Sequence, residues 1–352
     1  MRKVFFVTMA ILCLISTLTE AKDIKAAFVY VGPIGDGGWT YAHDQGRKDL
    51  EQIGIKTAYV ESVPEGAEAE RVITQFANEG YNLIFTTSYG YMDTTIDVAK
   101  KFPGTIFGHC SGHKRASNVF TYYGRMYQPI YLEGIIGGKM TKSGKLGYVA
   151  PHPIPEVIRH VNAFTIGARS VNPSAKVHVV WTGAWFDPAK EKEAAIALMD
   201  AGCDIICTEG DSPAALQAAE SRGVYSFGYN SDGRSYAPKS FLTAAIWDWS
   251  IIYNDVINRY KRNFKSWDKL DYWDGMESGT VKLANFSDLV PKDIQALINE
   301  KAEKFKEEDN VFAGPLNDQK GVVKVKKGAI LTDQEMLSIT WLVEGVVGSL
   351  PK

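Results

Sequence analysis

Two tryptophans stand in turns where their chemistry would matter. Trp39 closes the run Gly35-Asp36-Gly37-Gly38, after the apolar stretch Ala26–Val31 and before the amphipathic stretch Tyr41–Ile53. Trp185 lies in Gly183-Ala184-Trp185-Phe186-Asp187-Pro188, after the apolar stretch Lys176–Trp181. Each is a strand, a glycine turn bearing an aromatic, and then a helical pattern. The carboxyl edge of an open α/β sheet is where ligands bind. An indole face attracts a flat heterocycle, and stacking is worth about 1–3 kcal/mol per base. The pair therefore predicts two walls of one cleft, with a plug in each sheet as the alternative. Trp181, within a strand, reads as core.

Polar candidates cluster at the same edges. Asp36 precedes a helix and suits either an N-cap or a ligand contact. Asp93 has the same two readings at the start of Met92–Lys101. Tyr89 and Tyr91 sit on the loop before that helix, and one of them is expected in the cleft. Glu209-Gly210-Asp211 follows an apolar strand, and Asp211 could cap the next helix or face the ligand. Asn230 and Asp232 follow another strand in Asn-Ser-Asp-Gly, which turn chemistry explains as well as binding does. Trp247 ends a strand and is either packing or a third aromatic wall.

The elements that would position these residues alternate regularly. Lys25–Val31, Lys56–Val60, Leu83–Thr87, Thr105–His109 and Asn118–Tyr123 read as strands, with helices at Tyr41–Ile53, Ala67–Glu79, Met92–Lys101 and Tyr127–Met140. The pattern restarts with strands Lys145–Val149, Lys176–Trp181, Asp204–Thr208, Val224–Gly228 and Phe241–Trp247, and helices Pro155–Val171, Ala189–Ala201 and Ala214–Arg222. Continuous apolar strands imply parallel sheets covered on both faces. The reading is α/β, two doubly wound lobes. Trp249–Phe264 is expected to carry the chain back to the first lobe. The resulting division is a leader over 1–21, lobe 1 from 22–125 plus about 248–300, and lobe 2 from 126–247 plus about 301–352. Asp271–Val281 is rich in aromatics and glycine, and Asp271-Tyr272-Trp273-Asp274-Gly275 within it reads as an aromatic, acidic surface turn or a patch that meets a partner; Lys292–Glu308 reads as a charged helix, Gly321–Lys327 and Ile330–Leu331 as a hairpin and Gln334–Val347 as a last helix.

The full sequence of 352 residues carries a formal net charge of −2 and no basic block, which argues against a nucleic-acid partner. Arg2 and Lys3, the apolar run Val4–Ile15 and Thr19-Glu20-Ala21 make a secretory signal peptide. A lipid anchor at Cys13 is disfavoured by Leu12 before it. Cys203 and Cys207 flank a strand and would stand roughly 13 Å apart, too far to bridge. They and Cys110 are expected as buried free thiols. The six histidines do not gather with them, so no metal site is expected. No nucleophile–base constellation appears, which predicts a binder rather than an enzyme, with no cofactor. The glycines at 32, 35, 37 and 38 invite a dinucleotide site, but the spacing fails the phosphate-binding rule because Thr40 stands where the third glycine belongs.

Several of these segments resemble the basic membrane protein family, purine-binding substrate-binding proteins of ATP-driven importers. The resemblance is carried by Asp36-Gly37-Gly38-Trp39-Thr40, Ala184-Trp185-Phe186-Asp187-Pro188-Ala189-Lys190, Gly228-Tyr229-Asn230-Ser231-Asp232-Gly233, Asp97–Pro103 and Tyr131-Leu132-Glu133-Gly134. It extends over residues 24–345. It implies a periplasmic-binding-protein-like fold with a multi-strand hinge, closing on a purine held between Trp39 and Trp185. It also implies an exported, monomeric protein that serves an ABC permease; a ligand-sensing domain of a membrane receptor is the alternative. Two departures stand out. Cys110-Ser111-Gly112 replaces the family's Ile-Asp-Gly, and Trp247 replaces a lysine. With a hydroxyl and an indole in place of two charges, a free nucleobase such as adenine is expected over a nucleoside.

Overall fold

The computed structural model describes residues 23–305 and 307–351. The leader read over 1–21, Cys13 included, lies outside the described residues. The first sheet holds β1 (Lys25–Val29), β2 (Lys56–Val60), β3 (Leu83–Thr86), β4 (Ile106–Cys110) and β5 (Val119–Gly124), all parallel in the order β2-β1-β3-β4-β5. Helices α1 (Trp39–Gln52), α2 (Ala67–Asn78) and α3 (Met92–Lys101) connect its first four strands. Every residue from Ala26 to Tyr30 is fully buried, as a strand covered on both faces requires.

The second sheet repeats the scheme. After α4 (Tyr127–Met140) come β6 (Lys145–Ala150), α5 (Pro155–Val171), β7 (Lys176–Trp181), α6 (Pro188–Asp200), β8 (Ile205–Thr208), α7 (Ala214–Arg222), β9 (Tyr225–Asn230) and β10 (Phe241–Trp247). Their order is β7-β6-β8-β9-β10, the same permutation as in the first sheet. This is the two-lobed periplasmic-binding-protein-like architecture. Both sheets have their switch point beside the first strand, so both carboxyl edges are preset for binding.

Three crossings join the lobes. Arg125 and Met126 lead from β5 into α4. Asp248 leads from β10 into α8 (Trp249–Lys261), which packs on α1. The third crossing runs from β11 (Asp271–Asp274), parallel to β5, into β12 (Val281–Leu283), antiparallel to β10. The Asp271–Gly275 segment is therefore not a surface turn: its first four residues are a strand. Its aromatics extend the first sheet at its edge. Residues 281–300 pair with or pack on the second sheet, since α9 (Lys292–Lys304) lies against α4. The return thus comes earlier than the position near 300 read from the sequence.

The C-terminal segment also departs from expectation. β13 (Leu316–Asn317) and β14 (Val323–Val325) form a short hairpin. Helix α10 stops at Asp333–Leu337, and β15 (Val346–Val347) adds to the edge of the second sheet beside β7. The amphipathic pattern through Val347 does not stay helical because α5 captures the backbone. Asn162 donates to the Trp341 carbonyl at 2.8 Å and accepts from the Val343 amide at 2.8 Å.

Asp36 shapes the first turn of the cleft. Its carboxylate accepts from the amides of Gly38 (2.8 Å), Thr40 (2.9 Å) and Tyr41 (2.9 Å), so it ties down the start of α1. Replacing Asp36 by Ala should cost about 0.5–2 kcal/mol of stability, the range for a lost N-cap. Urea denaturation of the variant measures it, and an unchanged midpoint would contradict the capping role.

Candidate functional site

The carboxyl edges of the two sheets face each other across a narrow cleft. Lobe 1 contributes Val31, Trp39, Thr87, Ser88, Tyr89 and Ser111; lobe 2 contributes Glu156, Trp185, Glu209, Asp211 and Tyr229. Tyr89, Ser111 and Glu156 also border a wider lateral opening, so they form the sill of the cleft. The lobes touch around it. Ser231 donates its hydroxyl to the Gly37 carbonyl, and Ser111 donates to Glu156 at 3.0 Å. Gly38 sits so close to the Asp211 backbone that a Cβ would lie 2.5 Å from its oxygen.

The two tryptophans are held differently. Trp39 is 9% exposed, and its indole N–H donates to the Thr87 carbonyl at 2.6 Å. Its ring meets Trp249 and Trp247 edge-on, at 5.5 and 6.0 Å between centroids. Those two stack on each other at 4.2 Å and 13°. Trp185 is half-buried and makes an edge contact with His152 at 4.8 Å.

The polar rim is acidic. Burial pushes the Glu209 carboxyl well above the ordinary range, and it pushes His160 down to about 3. Glu209 meets His160 Nδ1 at 2.6 Å and accepts from the Tyr148 hydroxyl at 2.9 Å. Asp211 is pushed well up by burial, then by the nearby Asp36 and Glu191 carboxyls. Burial raises Glu156 as well. Kept neutral, such carboxyls can donate as well as accept. The Tyr229 hydroxyl and His160 Nε2 are buried without a protein partner, so a polar guest or water has bonds to make here. No lysine or arginine is among the described residues lining the cleft.

Of the residues singled out in the sequence, Trp39, Trp185, Tyr89 and Asp211 border the cleft. Tyr91 is buried and donates to the Val63 carbonyl at 2.5 Å. Asp36 lies behind the site in its capping role. Asp93 is a surface group, 71% exposed and paired with Lys114. Asp232 binds the Arg234 amide at 3.0 Å, away from the cleft. Asn230 supports rather than borders the cleft: it donates to Asp211 at 3.0 Å and accepts from the Trp247 indole at 3.1 Å. Trp247 is not a cleft wall but stands behind Trp39, because its faces are taken by Trp249 and Tyr123. Glu156 and Tyr229 were missed. Glu156 opens a helix after β6, an edge overlooked because no aromatic marks it. Tyr229 looks like core within β9. Cys110, Cys203 and Cys207 are buried and free.

Residues 23–313 match the family model described as ABC transporter substrate-binding protein, PnrA-like. The chain belongs to this family. It is the basic membrane protein family, one of extracytoplasmic solute-binding proteins. A purine-binding protein of Brucella abortus is 45% identical over 94% of this chain and 95% of its own. A putative ABC transporter glucose-binding protein of Haloferax volcanii is 39% identical over 95% of this chain and 83% of its own. A solved solute-binding protein of an ABC transporter from Conexibacter woesei superposes with a TM-score of 0.68 at 23% identity, over 80% of this chain and 96% of its own. That likeness shows the shared fold.

The unequal settings of the tryptophans separate two roles. Trp185→Ala should weaken solute binding by about 1–3 kcal/mol and leave the melting temperature nearly unchanged. Trp39→Ala should weaken binding and also cost about 3–5 kcal/mol of stability, as large-to-small core changes do. Calorimetric titration and chemical denaturation of both variants test this. Equal melting behaviour of the two would refute the distinction.

Proposed function

We propose that the protein captures a purine between its lobes and delivers it to the permease of an ABC importer. The observation that carries the reading is the pairing of Trp39 and Trp185, one from each lobe, over a rim of carboxyls and hydroxyls. Flat faces suit the indoles. Ring nitrogens, N–H groups and an exocyclic amine suit a rim that can both donate and accept. The purine-binding relative at 45% identity supports the same class.

Within that class we favour the free base, adenine first, over its nucleoside. Trp247 takes the place of the family's lysine, and its N–H is committed to Asn230, so no cationic donor reaches the cleft from this strand. Trp247 does not itself line the cleft. It acts at one remove, by backing the edge of Trp39. Ser111, in place of an aspartate, gives its hydrogen bond to Glu156 across the cleft.

Mass spectrometry of whatever copurifies, followed by calorimetric titration with adenine, guanine, hypoxanthine, adenosine and glucose, tests the proposal. Adenine should bind most tightly. Adenosine binding above every free base would overturn the base preference; glucose binding with no purine binding would overturn the purine reading.

Closure supplies a second test. Small-angle scattering should show a smaller radius of gyration with adenine. Gly38→Val, which places carbon against the Asp211 backbone, should keep the lobes apart and cost about 1–3 kcal/mol of affinity, the scale of overpacking. Full compaction in that variant would count against closure at this contact.

A further inference from the structure

Glu191 lies outside the cleft, on the first turn of α6, and is fully buried. Its carboxylate joins the two loops that bring lobe 2 to the ligand. One oxygen accepts from the Asp187 amide at 3.2 Å, on the loop of Trp185. The other accepts from the Ser212 hydroxyl at 2.7 Å and the Ser212 amide at 3.2 Å, on the loop of Glu209 and Asp211. The loops also touch directly, since the Asp211 amide donates to the Trp185 carbonyl at 3.0 Å. Room for the carboxylate comes from Gly210, where a Cβ would fall 2.4 Å from the carboxyl carbon.

We propose that Glu191 is a positioning residue whose ionised carboxylate clamps the Trp185 loop to the Asp211 loop, setting the aromatic wall against the polar rim. The inference concerns the geometry of lobe 2 and, for its affinity readout, rests on the purine reading. Three donors converge on this carboxylate. A proton on it places a fourth hydrogen among them, and the clamp loosens.

Burial pushes the carboxyl up to about 7, with Asp187 adding to the rise. The other groups facing the clamp are Asp211 across the loop contact, Lys190 bound to Asp187, and His152 against Trp185. Burial lowers His152 from its ordinary value, so its titration falls on the acid side of Glu191. The sign follows from linkage. The folded-state value lies above the ordinary 4.5, so this group's contribution to stability is full below 4.5 and is lost as pH rises to about 7. The clamp tightens over that same rise. Stability and affinity therefore move in opposite directions, which a purely structural role would not produce.

The test labels the full mature protein with 5-fluorotryptophan and follows the Trp185 fluorine resonance, assigned by Trp185→Phe, from pH 5.5 to 8.5. The resonance should titrate with a midpoint near 7. In Glu191→Gln that step should vanish and leave only the lower one from His152. Adenine affinity should rise about tenfold from pH 6 to pH 8 in the wild type, the scale of one good hydrogen bond, and stay flat and weak in the variant. Ser212→Ala, which removes one donor and keeps the carboxyl, should retain the midpoint and soften the step. A Trp185 resonance without a step near pH 7 in the wild type overturns the proposal, as does an unchanged step in Glu191→Gln. The resonance needs no ligand, so failure of adenine to bind at any pH would sink the purine reading and leave this result intact.

Discussion

The edge of Trp39 rests on the stacked pair Trp247 and Trp249, and much of the molecule is arranged around that contact. Trp247 ends β10 and Trp249 begins α8, so the pair brackets one of the three crossings between lobes. Behind it, His43 stacks on Trp249 at 4.2 Å and meets the Tyr253 hydroxyl at 2.5 Å, which fastens α1 to α8. A wall of the cleft thus stands directly on a hinge strand. Aromatic packing of this kind has few alternative arrangements, because offset and edge-on geometries are each favoured over intermediate ones. A change in lobe angle must either carry Trp39 along or break its edge contacts. The cleft wall and the hinge are one packed unit.

A second constraint is electrostatic. The lobes bring Asp36, Asp211 and Glu209 into a region from which water is excluded. Two like charges in a dry site cannot both be kept ionised without large cost. Burial raises each of these groups, and Asp36 raises Asp211 further. At the rim, Ser111 and Asn230 hold left-handed backbone, with φ of 64° and 67°. They follow or end the fourth strand of their respective sheets, so the two lobes present the same unusual bend to one another. Each bend is held by a hydrogen bond across or beside the cleft, from Ser111 to Glu156 and from Asn230 to Asp211. Strain of this sort persists only where surrounding contacts over-determine it.

Most of the scaffold was legible in the sequence. Buried parallel strands write themselves as apolar runs, and α3, α4, α5 and α7 keep the bounds read for them in the sequence. What was not legible depended on partners distant in sequence. β11 and β12 are short and irregular in composition, and they are strands because β5 and β10 offer unpaired edges. The last helix is cut short by one asparagine 179 residues away from the carbonyl it binds. The site shows the same division. Residue type and position at a sheet edge picked out Trp39, Trp185 and Asp211, which border the cleft. They could not tell Tyr89 from Tyr91, or show that Asp93 points to solvent and Trp247 inward. Those outcomes turn on side-chain direction across a turn, which spacing alone does not determine.

The lobes divide the work of recognition unequally. Lobe 1 offers an indole, a phenol and hydroxyls: Trp39, Tyr89, Thr87, Ser88 and Ser111. Every carboxyl that borders the cleft comes from lobe 2, as Glu156, Glu209 and Asp211, together with the half-buried Trp185. Stacking is tolerant of which heterocycle lies between the rings, because every base has a π-face. Discrimination needs polar groups that would be left unpaired by the wrong guest. On the proposed purine reading, such groups are the carboxyls of lobe 2, on the β6, β8 and β9 edges. Lobe 1 contributes area, exclusion of water and the link to the hinge. The stacking face backed by the crossing and the acidic rim thus come from different halves of the chain, and they meet at the backbone of Asp211, against which Gly38 of the other lobe is packed.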